Sequence, residues 1–217
     1  MSKISLLFFF IFSFIPHIKA SEYEITVLAT NTANFGGIGE WSFSALLESE
    51  EEKILFDTGF DENTVLHNAK LLNKDLSKVE KVILSHFHGD HTGGLLKLRQ
   101  TYMKQNPQSF SKVYVAEGFF EQRYDIEGNL RGFIGGFNEV ENFMVEAKRL
   151  GINFITLNQS EEIAPNLYLS GPVERFFESV VVSPGFFLKT NGNLEADMVK
   201  DDQSLGILTK EGWYMMS

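Results

Sequence analysis

Apolar and polar positions alternate from Tyr23 to Thr30, the two-residue period of a half-buried strand. A polar, glycine-containing loop follows over Asn31–Gly39. Trp41–Leu47 and Lys53–Phe56 read as two strands joined across the acidic turn Glu48–Glu52, a run that suits a solvated hairpin tip. The spacing then changes to the helical one. Over Asp61–Leu72 the residues Val65, Ala69 and Leu72 share a face, with Asp61 placed to cap the first turn. Asp75-Leu76-Ser77 reads as the start of a second short helix. Val82-Ile83-Leu84 is a compact apolar run, as expected of a strand buried on both faces. Thr92–Met103 reads as one helix, Val113–Ala116 as a strand, and Asn138–Leu150 as an amphipathic helix stopped by Gly151. Beyond it short strands alternate with turns, at Phe154–Thr156, Leu167–Leu169, Gly185–Lys189, Leu205–Thr209 and Trp213–Met216. Interleaved helices and strands followed by a strand-rich stretch predict an α/β (α+β) layered protein with parts of two sheets.

The first twenty residues stand apart. Ile4–Ile15 is apolar except for Ser5 and Ser13, follows Lys3, and ends at Ile18-Lys19-Ala20. This is shorter than the roughly 20 residues a membrane span needs and matches the apolar core of a secretory signal. Residues 1–20 are therefore expected to be a cleaved signal peptide, with an uncleaved anchor as the alternative because Lys19 departs from the usual cleavage site. Residues 21–217 are expected to be a single domain, periplasmic or secreted, with no stable membrane span after cleavage. Composition narrows the function. The chain of 217 residues carries 19 basic and 29 acidic side chains, a formal charge of −10 that argues against a nucleic-acid partner. It has no cysteine, which excludes disulfides, cysteine-ligated zinc ribbons and a thiol nucleophile.

Histidine carries the chemistry. There are five in the chain, one of them at position 17, and three of the other four fall within six residues in Ser85-His86-Phe87-His88-Gly89-Asp90-His91-Thr92-Gly93-Gly94. The stretch lies between a buried strand and an apolar helix, a strand-to-helix turn where side chains can converge. Imidazoles with a carboxylate are ligands for zinc, iron or manganese. Gly89, Gly93 and Gly94 are expected where the backbone bends or approaches the metal closely. His67, alone on its helix, suits a structural role. Glu174 and Arg175 suit a solvated turn, and the pairs Phe119-Phe120, Phe176-Phe177 and Phe186-Phe187 suit core packing.

The segment resembles the H-x-H-x-D-H signature of the metallo-β-lactamase fold, and Phe56-Asp57-Thr58-Gly59 resembles the D-T-G turn preceding it in that family. A finer resemblance is to the branch containing dihydropterin-ribofuranosylaminobenzene phosphate synthase-like proteins. It rests on the Asn31–Trp41 loop, His67-Asn68-Ala69, and Asp201-Asp202-Gln203-Ser204-Leu205. The resemblance implies an αββα sandwich with one or two metal ions, zinc first and iron or manganese as options. In it His86 and His88 bind one metal while Asp90 and His91 bind the other. Asp57 orients a ligand imidazole, and Asp201 is the candidate third ligand. The implied activity is hydrolysis of a small-molecule ester, amide or phosphoester by a metal-bound hydroxide, with Asp90 as the catalytic acid–base. The alternatives are a synthase-like group transfer on a pterin or phosphoribosyl substrate and a metal-binding remnant without turnover.

The branch goes on to histidine-bearing turns that supply further ligands, whereas no histidine follows His91 here. The domain is accordingly expected to be partial at its C-terminus. The purified 217-residue product is expected to be poorly soluble or to hold at most one metal ion weakly. Metal analysis finding two tightly held equivalents would overturn this.

Overall fold

The computed structural model describes residues 22–132, 134–174 and 185–217. The apolar segment 1–20, Arg175 and the Phe176-Phe177 pair lie outside them. Along the chain run β1 (Glu24–Ala29), β2 (Ser44–Glu48), β3 (Lys53–Phe56), α1 (Thr64–Leu71), β4 (Lys81–Ile83), α2 (Gly89–Thr92), α3 (Leu95–Tyr102) and β5 (Lys112–Ala116). There follow β6 (Arg123–Tyr124), β7 (Leu130–Arg131), α4 (Val140–Arg149), β8 (Asn153–Leu157), β9 (Glu161–Ala164) and β10 (Leu167–Leu169). The last four are β11 (Phe187–Thr190), β12 (Asn193–Ala196), β13 (Leu205–Thr209) and β14 (Gly212–Met216).

The main sheet has the order β1-β2-β3-β4-β5-β8. Its first three strands are antiparallel neighbours, and β3, β4, β5 and β8 run parallel. Strand side chains point alternately to opposite faces. Leu46, Leu55, Val82, Leu84, Val113 and Val115 therefore meet the helices, packing with Val65 and Ala69 of α1, Leu95 and Leu98 of α3, and Phe143 and Ala147 of α4. On the other face Leu47, Ile54, Phe56, Ile83 and Tyr114 meet Leu167, Leu169, Leu205 and Ile207. These belong to a second sheet of order β14-β13-β10-β9. Helices, sheet and sheet make three stacked layers, the mixed α/β architecture expected from the sequence. A helical layer over the second sheet is not among the described residues, and Trp213, Tyr214 and Met215 of β14 are exposed. A small sheet, β12-β11-β6-β7, stands beside the metal-motif turn. Among the described residues no helix is long and apolar enough to cross a membrane.

Several elements differ from expectation for physical reasons. The helix expected from Asp75 is a turn, because the Asp75 carboxylate takes the Ser77 N–H at 2.9 Å and offers the chain a local alternative to helix. Asp61 does the same for Asn63 at 2.8 Å, and α1 starts three residues later than the pattern suggested. Strands β6, β7, β9 and β12 are two to four residues long, too short to show a period. Gly151 ends α4 with φ +70°, the left-handed geometry that suits glycine.

The helix expected over Thr92–Met103 is two helices, α2 and α3, parted at Gly93-Gly94. Neither glycine has a positive φ, and what they approach is the 58–60 backbone. A Cβ on Gly93 would stand 1.9 Å from the Phe60 carbonyl oxygen, and one on Gly94 2.2 Å from that of Thr58. Both glycines thus serve contact between the histidine turn and the D-T-G turn. Gly94→Ala is expected to destabilise the fold by about 3 kcal/mol, the upper range for overpacking a tight interior. Urea unfolding with an unchanged midpoint would contradict this.

Candidate metal centre

Two turns at the C-terminal ends of parallel strands build the site. After β3 the chain enters Asp57-Thr58-Gly59, and after β4 it enters Ser85-His86-Phe87-His88-Gly89-Asp90-His91. Asp57 is fully buried and lies in the left-handed region at φ +56°, a conformation aspartate tolerates better than most residues. Its N–H donates to the Ile83 carbonyl at 2.8 Å, and its own carbonyl accepts the Ser44 hydroxyl at 2.8 Å. Thr58 N–H and Oγ1–H both donate to the His91 carbonyl, at 2.7 and 3.0 Å. The two turns are therefore fixed to one another through the backbone before any side-chain chemistry begins.

The Asp57 carboxylate is the junction. Oδ1 accepts the Ser85 N–H at 2.7 Å, while Oδ2 accepts the Ser85 hydroxyl at 2.8 Å and lies 2.6 Å from His91 Nδ1. Ser85 Oγ also lies 3.1 Å from His86 Nδ1 and 3.2 Å from His91 Nδ1. A hydroxyl that gives its proton to Asp57 has lone pairs left to accept, so it takes the His86 Nδ1–H. Asp57 takes the His91 Nδ1–H. Both rings then carry their proton on Nδ1 and leave Nε2 bare, the form a metal ligand needs.

The contacts fall into two pairs. His86 Nε2 and His88 Nδ1 face each other at 2.9 Å, and His91 Nε2 lies 3.7 Å from Asp90 Oδ2. The His86 ring centroid is 4.6 Å from that of His88 and 4.2 Å from that of His91. Among the described residues no group of three or more His, Cys, Asp or Glu side chains converges on one metal-holding point. The shared centre expected for the three imidazoles and Asp90 is thus drawn as two adjacent pairs.

Do these donors fit a metal ion? Two imidazole nitrogens each about 2.0–2.1 Å from one zinc stand roughly 2.9–3.4 Å apart for angles from square to tetrahedral. The His86–His88 separation lies at the lower end of that range. His88 Nε2, the ring nitrogen turned away from His86, is buried with no hydrogen-bond partner and is not part of this pair. Burial pushes the His88 imidazole below its usual pKa, favouring the neutral ring a metal requires. For His91 burial acts in the same direction, but the charges of Asp57, Asp90 and Asp202 outweigh it and raise the pKa. The field at that ring thus favours positive charge, and a divalent cation beside Nε2 answers it as a proton would. The residues fit.

Asp201, the expected third ligand, lies behind the turn. It is fully buried with both oxygens engaged, Oδ1 by Arg123 Nη2 at 2.9 Å and Oδ2 by the Phe87 N–H at 2.9 Å. Burial pushes its carboxyl up to about 6, against the lowering effect of Arg123. It braces the turn from behind. Gln203, two residues on, donates its N–H to the Ser85 carbonyl at 2.9 Å and its amide to that of Leu84 at 2.8 Å. His67 is exposed with Nε2 2.7 Å from the Gly36 carbonyl, in service of the 31–39 loop. Phe119 and Phe186 both lie in the helix-side core, and Phe186 also stands 5.2 Å from the His88 ring. The sequence reading assigned no role to Ser85 or Arg123. Nothing about a serine before a histidine, or an isolated arginine, announces these contacts.

The fold is a mixed α/β one, with the histidine turn at the edge of its main sheet. Residues 42–137 match the family described as the metallo-β-lactamase superfamily. The chain carries a domain of that superfamily. It is similar to 7,8-dihydropterin-6-methyl-4-(β-D-ribofuranosyl)-aminobenzene-5′-phosphate synthase of Methanocaldococcus jannaschii. The two are 27% identical over 92% of this chain and 68% of the relative. Among solved structures it resembles Tm1679, described as a metal-dependent hydrolase of the β-lactamase superfamily. There the TM-score is 0.64 and the identity 30%, over 89% of this chain and 64% of that one. A metallo-β-lactamase-type structure (tm0894) from Thermotoga maritima shares the fold at TM-score 0.50 and 13% identity, over 90% of this chain and 77% of that one. The chain spans about two thirds of the length of the first two relatives.

Asp57→Asn is expected to weaken zinc binding by about 10- to 100-fold, because the amide no longer fixes the His91 tautomer. Competition titration against a chromophoric chelator measures it, and an unchanged affinity would contradict the assignment.

Proposed function

We propose that this protein is a metal-dependent hydrolase acting on a small-molecule ester, amide or phosphoester. The observation that carries the reading is the 2.9 Å approach of His86 Nε2 to His88 Nδ1 beside the Asp90–His91 pair. The similarity to the hydrolase Tm1679 supports it. His86 and His88 would hold one cation, and Asp90 with His91 would border a second position. Imidazole and carboxylate donors suit zinc, with iron and manganese as the other candidates. When bound, such an ion supplies Lewis acidity and brings the pKa of a coordinated water to about 7.

The chain's own residues do the rest. Asp57 and Ser85 hold the rings of His91 and His86 with Nε2 turned outward, so no reorientation is needed when the ion arrives. Asp90 is half-buried, with its carboxylate beside His91 Nε2, and it is placed to take and return a proton at Oδ2. Phe186 and Phe87 press on the His88 ring and keep water from it, at centroid distances of 5.2 and 4.5 Å.

A second reading, group transfer on a pterin or phosphoribosyl substrate, draws on the similarity to the M. jannaschii synthase. The two separate in one assay series. The zinc-loaded full chain is expected to hydrolyse p-nitrophenyl carboxylic or phosphate esters, and His86→Ala and His88→Ala are each expected to lose at least a hundredfold in kcat/KM. Hydrolysis that survives both substitutions would defeat the proposal. Activity confined to a phosphoribosyl donor with a pterin acceptor would transfer it to the second reading.

A further inference from the structure

We infer that Arg123 is a positioning residue of the metal centre, acting through Asp201 and Phe87 to set the spacing of His86 and His88. The inference rests on the reading of those two histidines as metal-holding. Arg123 sits in β6 and is only 2% exposed. Its Nε donates to Asp197 Oδ2 at 3.0 Å and its Nη2 to Asp201 Oδ1 at 2.9 Å. Its Nη1 donates to the carbonyls of Gly118, Phe119 and Glu121. The guanidinium carbon lies 3.7 Å from the centroid of the Phe87 ring.

Phe87 is the residue between the two histidines, and it is held in two places. Asp201 Oδ2 accepts its backbone N–H at 2.9 Å, and the guanidinium plane covers its ring. Arg123 fixes both holds, since it touches the ring directly and clamps the other oxygen of Asp201. Rotation of the Phe87 peptide would move the attachment points of His86 and His88 in opposite senses. The 2.9 Å between their facing nitrogens depends on that peptide staying still.

The chemistry of the clamp points the same way. One cation shared between two buried carboxylates carries a desolvation cost that an apolar cluster of similar volume would avoid. What the arrangement supplies is direction: a planar fork that engages Asp197 and Asp201 at once, and a flat face for the ring. Lysine has the charge but neither the fork nor the face.

The test is Co²⁺ titration of the full chain, followed through the visible d–d bands that report coordination geometry. Arg123→Lys is expected to weaken Co²⁺ binding at least tenfold and to change the shape of the bands. Arg99→Lys is the comparison. Arg99 is also buried, but it donates to the carbonyls of Leu150, Pro107 and Ser109. It is expected to lower the melting temperature while leaving Co²⁺ affinity and bands within twofold of the parent. Should Arg123→Lys fail to fold, Asp197→Asn loosens the Nε side of the fork without touching Phe87 and is expected to weaken binding at least threefold with altered bands. Parental affinity and bands in Arg123→Lys, or in Asp197→Asn where that replaces it, would overturn the inference. So would a loss of binding in Asp201→Asn with none in Arg123→Lys, which would make Asp201 a ligand. Failure of the parent protein to bind Co²⁺ would instead remove the metal reading itself, and this inference with it.

Discussion

The site depends on a carboxylate that has no access to water. Asp57 is fully buried, and its charge is tolerable only because three donors converge on it: the Ser85 N–H, the Ser85 hydroxyl and His91 Nδ1. Those same three donors dictate the chemistry of the turn that supplies them. They set the hydroxyl to receive a His86 Nδ1–H, and in the neutral rings of His86 and His91 this arrangement calls for the proton on Nδ1 and a bare Nε2. An interaction needed to keep a buried charge satisfied thus also orients the imidazoles that the proposed function would use.

The fold makes that junction possible. Parallel β3 and β4 end side by side, with Phe56 opposite Ile83, so their following turns meet at one sheet edge. Gly93 and Gly94 let the second turn close onto the first, where any side chain would collide with the Thr58 or Phe60 carbonyl. Behind the turn, Gln203, Asp201 and Arg123 tie it to β13, the 197–201 segment and β6. The histidine turn is therefore held from the sheet side by Asp57 and from the opposite side by Asp201.

What was legible in the sequence was local. His86, His88, Asp90 and His91 lie within six residues, so their neighbourhood needed no knowledge of the fold, but their division into two pairs was not legible. The strands β3, β4 and β5 announced themselves by compact apolar runs. Asp57 was legible only because Phe56-Asp57-Thr58-Gly59 resembles a known turn. The rest was tertiary. Arg123 and Asp201 are 78 positions apart and neither sits in a periodic pattern. Gly93 and Gly94 were expected where the backbone bends or approaches a metal, and what they approach is another stretch of backbone, a distinction spacing cannot make. Asp201 was read as a ligand from its motif, whereas its oxygens are spent on an arginine and a peptide N–H. Two-residue strands such as β6 carry no period at all, yet β6 supplies the arginine.

The central claim is that Asp57 and Ser85 preset the imidazoles, and ring tautomers report this directly. Long-range ¹⁵N–¹H correlation NMR of metal-free protein, at a pH where His91 is neutral, distinguishes the two protonation sites of each ring. The account predicts that His86 and His91 both carry hydrogen on Nδ1, with Nε2 showing the shift of a bare nitrogen. Nε2–H on either ring would contradict it.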